Sequence, residues 1–311
     1  MAKNTGKTTT LNALLRRFAS SRPALTSIGL DGEDLDQVTF LPKPRIHVSK
    51  GSVLATARQC LDATPTAHTI LEDTSHASAL GAITLIRAEE DGHFLVAGPT
   101  TNTALEDVIE RLKRHADKVF VDGAFNRRTF ATIAHVEGVV LATGASVSPD
   151  METTVLETVH VAKLLQAPAY PHIPLPAKAR VLIIREQETH TLARKDPETL
   201  AAHLPLMTHR MRALHVRGAI TTRTVRFLIR HKIRGIALIA EDAGRLLYGR
   251  KEAVHLEKLG IEAHVLEAKP LLAITINPFS PHGEHYPEIP FINALEHALP
   301  GIPVINVLKK E

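Results

Sequence analysis

Met1-Ala-Lys-Asn-Thr-Gly-Lys-Thr-Thr-Thr10, running straight into Leu11-Asn-Ala-Leu-Leu-Arg-Arg-Phe18, is the stretch whose reading decides the fold. Gly6-Lys7-Thr8 has the residue types that end a phosphate-binding loop. In such a loop, backbone N–H groups around a glycine cradle phosphate oxygens, a lysine reaches the β- and γ-phosphates, and a threonine hydroxyl ligates Mg²⁺. Asn4, Thr5, Gly6, Lys7, Thr8 and Thr9 are therefore candidate nucleotide-binding residues, with Lys7 as the catalytic cation and Thr8 as a metal ligand. Leu11, Leu14, Leu15 and Phe18 recur at helical spacing, so the helix that follows can pack on a sheet and aim its positive amino end at the phosphates.

The match departs from the usual motif at one end. A glycine is expected five residues before Gly6, where Met1 stands, and the strand that feeds such a loop is not in the sequence. The expectation is that the chain begins downstream of its natural start, with roughly five to ten residues of buried strand missing. Residues 1 to 5 would then be irregular, with two strands facing each other across an unfilled central position. The alternative is that Gly-Lys-Thr-Thr-Thr only caps a helix.

The chain has 311 residues, 44% of them apolar and 23% charged, which is the balance of a globular protein with room for two domains. No apolar run approaches the roughly 18 residues of a membrane span, and the amino terminus lacks a signal-peptide pattern. A cytoplasmic protein with no membrane partner is expected. The single cysteine, Cys60, excludes an intrachain disulfide and a thiolate metal site. A net charge of +4 suits an anionic ligand but is too small to name nucleic acid as a partner.

From residue 25 onward, short apolar runs alternate with helix-period segments, which reads as α/β with a mostly parallel sheet. Leu25 to Leu30 reads as a strand ending in Asp31-Gly32-Glu33-Asp34. Open α/β sheets bind ligands at the carboxyl ends of their strands, so Asp31 is either a magnesium contact and water-orienting catalytic group or part of a solvated acidic turn. Val53 to Leu61 reads as a helix, Thr69 to Leu71 as a short strand, and Ala104 to Arg114 as an amphipathic helix capped by Asn102 or Thr103. In Lys118-Val-Phe-Val-Asp122-Gly123 an apolar strand ends in a carboxylate followed by glycine. Asp122 can meet hydrated Mg²⁺ there, and the Gly123 backbone can approach a γ-phosphate. Asp-Gly is also a common turn.

Ser148-Pro149-Asp150 opens a helix, and the proline-rich segment after it, 167–178, reads as a linker between a nucleotide-binding domain, 1–166, and a second α/β domain, 179–311. Between Arg210 and Arg234 lie eight Lys or Arg residues and no Asp or Glu. Arg223, Arg226 and Arg230 share a helical face, either as a solvated ridge or as a contact for an acidic partner or nucleic acid. Asn277, at the end of the strand Leu271 to Ile276, can hydrogen-bond a base or substrate edge, and His282 with His285 offers an incomplete metal pair.

Gly6-Lys7-Thr8-Thr9, Asp31 and Val121-Asp122-Gly123-Ala124 together resemble the P-loop group that includes dethiobiotin synthetase, the nickel and molybdenum cofactor chaperones and the Walker-type partitioning ATPases. The likeness covers the first half of the chain. The extra lysine typical of several members is out of place, since position 2 is alanine and Lys3 comes one residue late. Over most of the chain, Ala2 to Asn12, Ser27 to Glu33, Val121 to Arg127 and Asn277-Pro-Phe-Ser-Pro281 resemble the ATPase subunits of lysine 5,6-aminomutase reactivating factors. That resemblance implies an ATP-driven chaperone working with a second reactivase subunit on a B12-dependent aminomutase.

The leading expectation is a Mg²⁺-dependent ATP or GTP hydrolase acting as a switch on a protein partner, with homodimerisation open. A second is an ATP-dependent ligase or kinase with its substrate pocket in the carboxyl-terminal half. A third is a nucleic-acid-associated ATPase using the basic stretch.

Overall fold

In the computed structural model of the chain, residues 5–28, 46–123 and 136–308 are described, apart from 172, 174, 187 and 209. The amino-terminal helical spacing is realised as α1 (Lys7–Arg17), which buries Leu11 and Leu15 and carries Arg16 and Arg17 in its last turn, where cations suit the negative helix end. Extended segments follow in β1 (Ala24–Ser27), β2 (Ile46–Val48) and β3 (Val53–Ala57). They are followed by α2 (Arg58–Asp62), β4 (His68–Ser78), β5 (Gly81–Ala88), β6 (Gly92–Phe94), α3 (Asn102–Lys113) and β7 (Val119–Asp122).

Five of these strands form a sheet of order β4-β5-β3-β1-β7. It is mixed: β1 runs parallel to β3 and β7, whereas β5 is antiparallel to both β3 and β4. The reason is connection length, because Ser78 pairs with Gly81 across two residues, far too few for a parallel crossover. Val53 to Leu61 is not one helix; all five residues of β3 are buried and only Arg58–Asp62 is helical. A strand buried on both faces loses its alternation and imitates a helix segment. The short strand expected at Thr69 to Leu71 is eleven residues long as β4, because polar residues line its exposed side.

The remaining elements are β8 (Val139–Gly144), α4 (Met151–Leu165), β9 (Val181–Arg185), β10 (Thr189–Leu192), α5 (Pro197–Ala202), α6 (Leu204–Thr208), β11 (Met211–Val216), β12 (Ile220–Thr221) and α7 (Thr222–Arg230). After them come β13 (Ala237–Asp242), β14 (Leu246–Leu247), α8 (Arg250–Lys258), β15 (Glu262–Glu267), β16 (Leu271–Asn277), α9 (Glu288–Ala298) and β17 (Val304–Asn306). A second five-stranded sheet has the order β10-β9-β11-β13-β15, and a third, all-parallel, has the order β17-β16-β8. Helices α7 and α8 are the crossovers that let β11, β13 and β15 run parallel. On α7, Arg223, Arg226 and Arg230 lie opposite buried Val225 and Leu228, and Arg226 Nη2 lies 2.9 Å from Glu252, which neutralises some of the ridge. No helix among the described residues is long and apolar enough to cross a membrane.

The apolar interior divides elsewhere than at the proline-rich segment. Two clusters are built from residues of the first half, one around Leu11, Leu25, Leu54 and Phe94 and one around Ala55, Leu85, Val108 and Leu112. The third runs from Leu141 through Ala162 and Leu165 to Leu214, Leu238, Phe291 and Val304. Residues before 167 and after 178 thus share one core, with β8 paired to β16 and α4 packed on α9, so the 167–178 segment is not a boundary between separate cores. The segment instead lies along β15: Tyr170 N–H donates to the Val265 carbonyl at 2.7 Å and Val265 N–H donates to the Pro168 carbonyl at 3.0 Å. Proline suits such an edge position, where its missing N–H costs no ladder bond.

His215 of β11 is fully buried between the registers of Leu182 and Ile239, and neither ring nitrogen has a hydrogen-bond partner among the described residues. Burial holds its pKa below the usual 6.5, with the Glu241 carboxylate opposing that shift and Arg217 adding to it. Below pH 6.5 the unfolded chain therefore binds a proton that the folded chain refuses, and stability falls with pH until the folded pKa is passed. Thermal unfolding followed between about pH 7 and pH 5 is expected to show a smaller acid slope in His215→Leu than in the unmodified chain. Equal slopes would assign the acid sensitivity to other groups.

Candidate phosphate-binding site

Helix α1 lies antiparallel to the strands it covers. At its carboxyl end the Phe18 ring meets Phe120, near the start of β7, at 5.8 Å, and Lys118 Nζ stands 5.2 Å over the same Phe18 ring. Toward the other end, the Thr10 and Thr275 hydroxyls share a 2.7 Å hydrogen bond. One helical turn earlier, a Cβ added at Gly6 would stand 3.1 Å from Asn277 Cβ. The amino end of α1 therefore reaches the carboxyl end of β16, while its carboxyl end packs beside the start of β7. Gly6 precedes the helix in the left-handed region at φ 89°, a conformation that favours glycine, and its carbonyl accepts the first helical bond, from Thr10 N–H at 2.8 Å. The first-turn N–H groups point along the axis past the end of β16, with Thr5 buried and Lys7, Thr8 and Thr9 half-buried around them.

Asp122 closes β7 opposite Ser27, and its carbonyl accepts from Ile28 N–H at 2.9 Å. A Cβ at Gly123 would meet only Ile28 Cγ2 at 3.5 Å, an ordinary contact, so nothing among the described residues crowds this backbone. Asn277 is half-buried, and its Oδ1 accepts from Phe279 N–H at 3.1 Å, which turns the chain out of β16. The structure thus brings Thr5 to Thr9 together with Asn277 through the Gly6 contact, and places Asp122 and Gly123 on the strand that α1 covers. Asn4 and Asp31 lie outside the described residues. His282 and His285 gain no third ligand: among the described residues no group of three His, Cys, Asp or Glu side chains is set to hold a metal.

Two further glycines shape the site, although in the sequence they read only as turns. A Cβ at Gly144, after β8, would fall 2.0 Å from the Asn277 carbonyl oxygen, and Ala145 N–H donates to that same oxygen at 3.0 Å. A Cβ at Gly98 would fall 1.7 Å from the Ser27 carbonyl oxygen, while Gly98 N–H donates to Ser27 Oγ at 3.0 Å. The glycines in Ala97-Gly98-Pro99 and Thr143-Gly144-Ala145 are the available signal, but close approach depends on partners 71 and 133 positions away in sequence. A groove between α3 and Val136, Glu137 and Lys269 opens at the amino ends of β8 and β16, the far side from Gly6.

Comparison with known protein families, with characterised proteins and with solved structures yields no match for this chain.

Proposed function

We propose that the chain is a magnesium-dependent nucleoside triphosphatase that binds ATP or GTP at Thr5 to Thr9 and works as a nucleotide-driven switch or chaperone on a protein partner. The observation that carries this reading is the delivery of Gly6-Lys7-Thr8, at the amino end of α1, to the carboxyl end of β16. Lys7 would neutralise charge on the β- and γ-phosphates while the backbone of the first turn orients them. The Thr8 hydroxyl and the Asp122 carboxylate are hard oxygen donors of the kind Mg²⁺ takes, and the bound ion would supply neutralisation of phosphate charge. Among the described residues nothing crowds the Gly123 backbone, which would face the γ-phosphate; Asp31 would orient the attacking water. The partners that the resemblance implies are a second reactivase subunit and a B12-dependent aminomutase.

Titration calorimetry with Mg-ATP and Mg-GTP tests the reading. Binding at micromolar to millimolar concentration, weakened by chelation of Mg²⁺, is the expected result. The absence of any binding at millimolar nucleotide would overturn it. Hydrolysis that rises on addition of a co-purifying protein would favour the switch over the ligase or kinase alternative.

A further inference from the structure

Resting on the nucleotide reading above, we propose that the hairpin leaving β16 is the nucleobase platform of this site, with Phe279 as the stacking ring and His285 as its backing. The placement follows from register. Along β16, alternate side chains face α1: Thr275 meets Thr10 and Asn277 backs Gly6. The step from Thr10 to Gly6 covers about 6 Å of helix axis, and the step from 275 to 277 about 7 Å of strand. Phe279 comes two residues after Asn277, past the turn that leaves β16, and is held in the antiparallel bridge Phe279↔His285. Its backbone is therefore within about 7 Å of the residue that backs Gly6. A nucleotide whose phosphates rest on the first turn of α1 extends its nucleoside past the helix end.

The hairpin is built to hold the ring still. Ser280 N–H donates to the Glu284 carbonyl and Tyr286 N–H to the Pro278 carbonyl, both at 2.9 Å. Tyr286 is buried; its hydroxyl lies 2.9 Å from Thr154 Oγ1 and also donates to the Ser148 carbonyl, and its ring meets Phe291 edge-on at 5.1 Å. Out of this anchored base, Phe279 emerges 53% exposed, its ring stacked on His285 at 4.7 Å with 29° between planes. An exposed aromatic ring costs a globular protein apolar surface in water, and here it is immobilised beside a phosphate loop. Every nucleobase has a π-face, so the platform accepts adenine and guanine alike. The ligand class is a nucleoside triphosphate held by its base as well as its phosphates.

Mg-ATP and magnesium tripolyphosphate, which has the phosphates and no base, separate this proposal from the reading it rests on. Phe279→Ala and Phe279→Leu are expected to lose roughly 5- to 150-fold in Mg-ATP affinity, the range of one base-aromatic stack, with tripolyphosphate binding unchanged. Phe279→Trp is expected to retain Mg-ATP binding, and Lys7→Ala to weaken both ligands. Mg-ATP affinity in Phe279→Ala equal to the unmodified chain would overturn the platform while leaving the phosphate site standing. Equal loss of both ligands in Phe279→Ala would also overturn it, since the hairpin would then only support the loop. Failure of the unmodified chain to bind tripolyphosphate and Mg-ATP would remove the phosphate site and the platform with it.

Discussion

Lys7→Ala is expected to lower Mg-ATP affinity about 30- to 5,000-fold while leaving the chain folded. The magnitude is that of truncating one partner of a desolvated charge pair, about 2 to 5 kcal/mol. Lys7 is the first residue of α1 and half-buried, and alanine has the highest helix propensity, so the fold gives up little. Lys7→Arg is not a conservative control, because a planar guanidinium replaces a compact ammonium. The check is calorimetric titration of both variants beside a far-ultraviolet circular dichroism melt. Unchanged Mg-ATP affinity in Lys7→Ala would end the phosphate-loop reading.

Gly98→Ala is expected to cost at least about 3 kcal/mol of folding stability, the scale reserved for changes that force a packed interior to move. The added Cβ would lie 1.7 Å from the Ser27 carbonyl oxygen and 2.9 Å from Thr26 Oγ1. The nearer atom is backbone of β1, a strand buried along its whole length and paired on both sides, and it cannot swing away as a side-chain tip could. Gly123→Ala is the matched control: its nearest neighbour would be a methyl at 3.5 Å, so a stability change within about 0.5 kcal/mol is expected. Urea denaturation midpoints separate the two. A Gly98→Ala chain as stable as the parent would show that the Ala97-Gly98-Pro99 turn repacks freely.

What the sequence discloses is local. The spacing of Leu11 and Leu15 foretold α1, and α4 opens at Ser148-Pro149-Asp150 as expected, with Asp150 accepting from Thr153 N–H at 2.7 Å. The cap of α3 falls on Thr101, one residue before the expected pair, because the hydroxyl that reaches Ala104 N–H belongs to the last extended residue. The alternation of apolar runs and helical segments gave the α/β class, although hairpins made two sheets mixed. Of the candidate site, the helix-start position of Gly6-Lys7-Thr8 and the strand-end position of Asp122 were legible. Its other wall was not, because Gly6 and Asn277 meet across 271 positions and nothing in either neighbourhood encodes the other. The single core on both sides of 167–178 was equally hidden. Proline clusters report where a backbone lacks donors, and an edge strap and a linker share that composition.

Helix α1 has one more consequence, a thermodynamic one. Leu11 and Leu15 belong to a core built from the first half of the chain, while Thr10 and Gly6 touch β16, whose other face belongs to the core that runs from Leu141 to Val304. The ladder that ends at β7 and the ladder that ends at β8 are separate among the described residues, so α1 is a rivet between two bodies. Anything that grips its first turn binds only while both are folded. Saturation at about a hundred times the dissociation constant adds about 2.7 kcal/mol by mass action, and the increment belongs to both bodies at once. Hydrogen-exchange probes in β3 and in β13 should then slow by the same factor on adding Mg-ATP, whereas without ligand each reports its own opening.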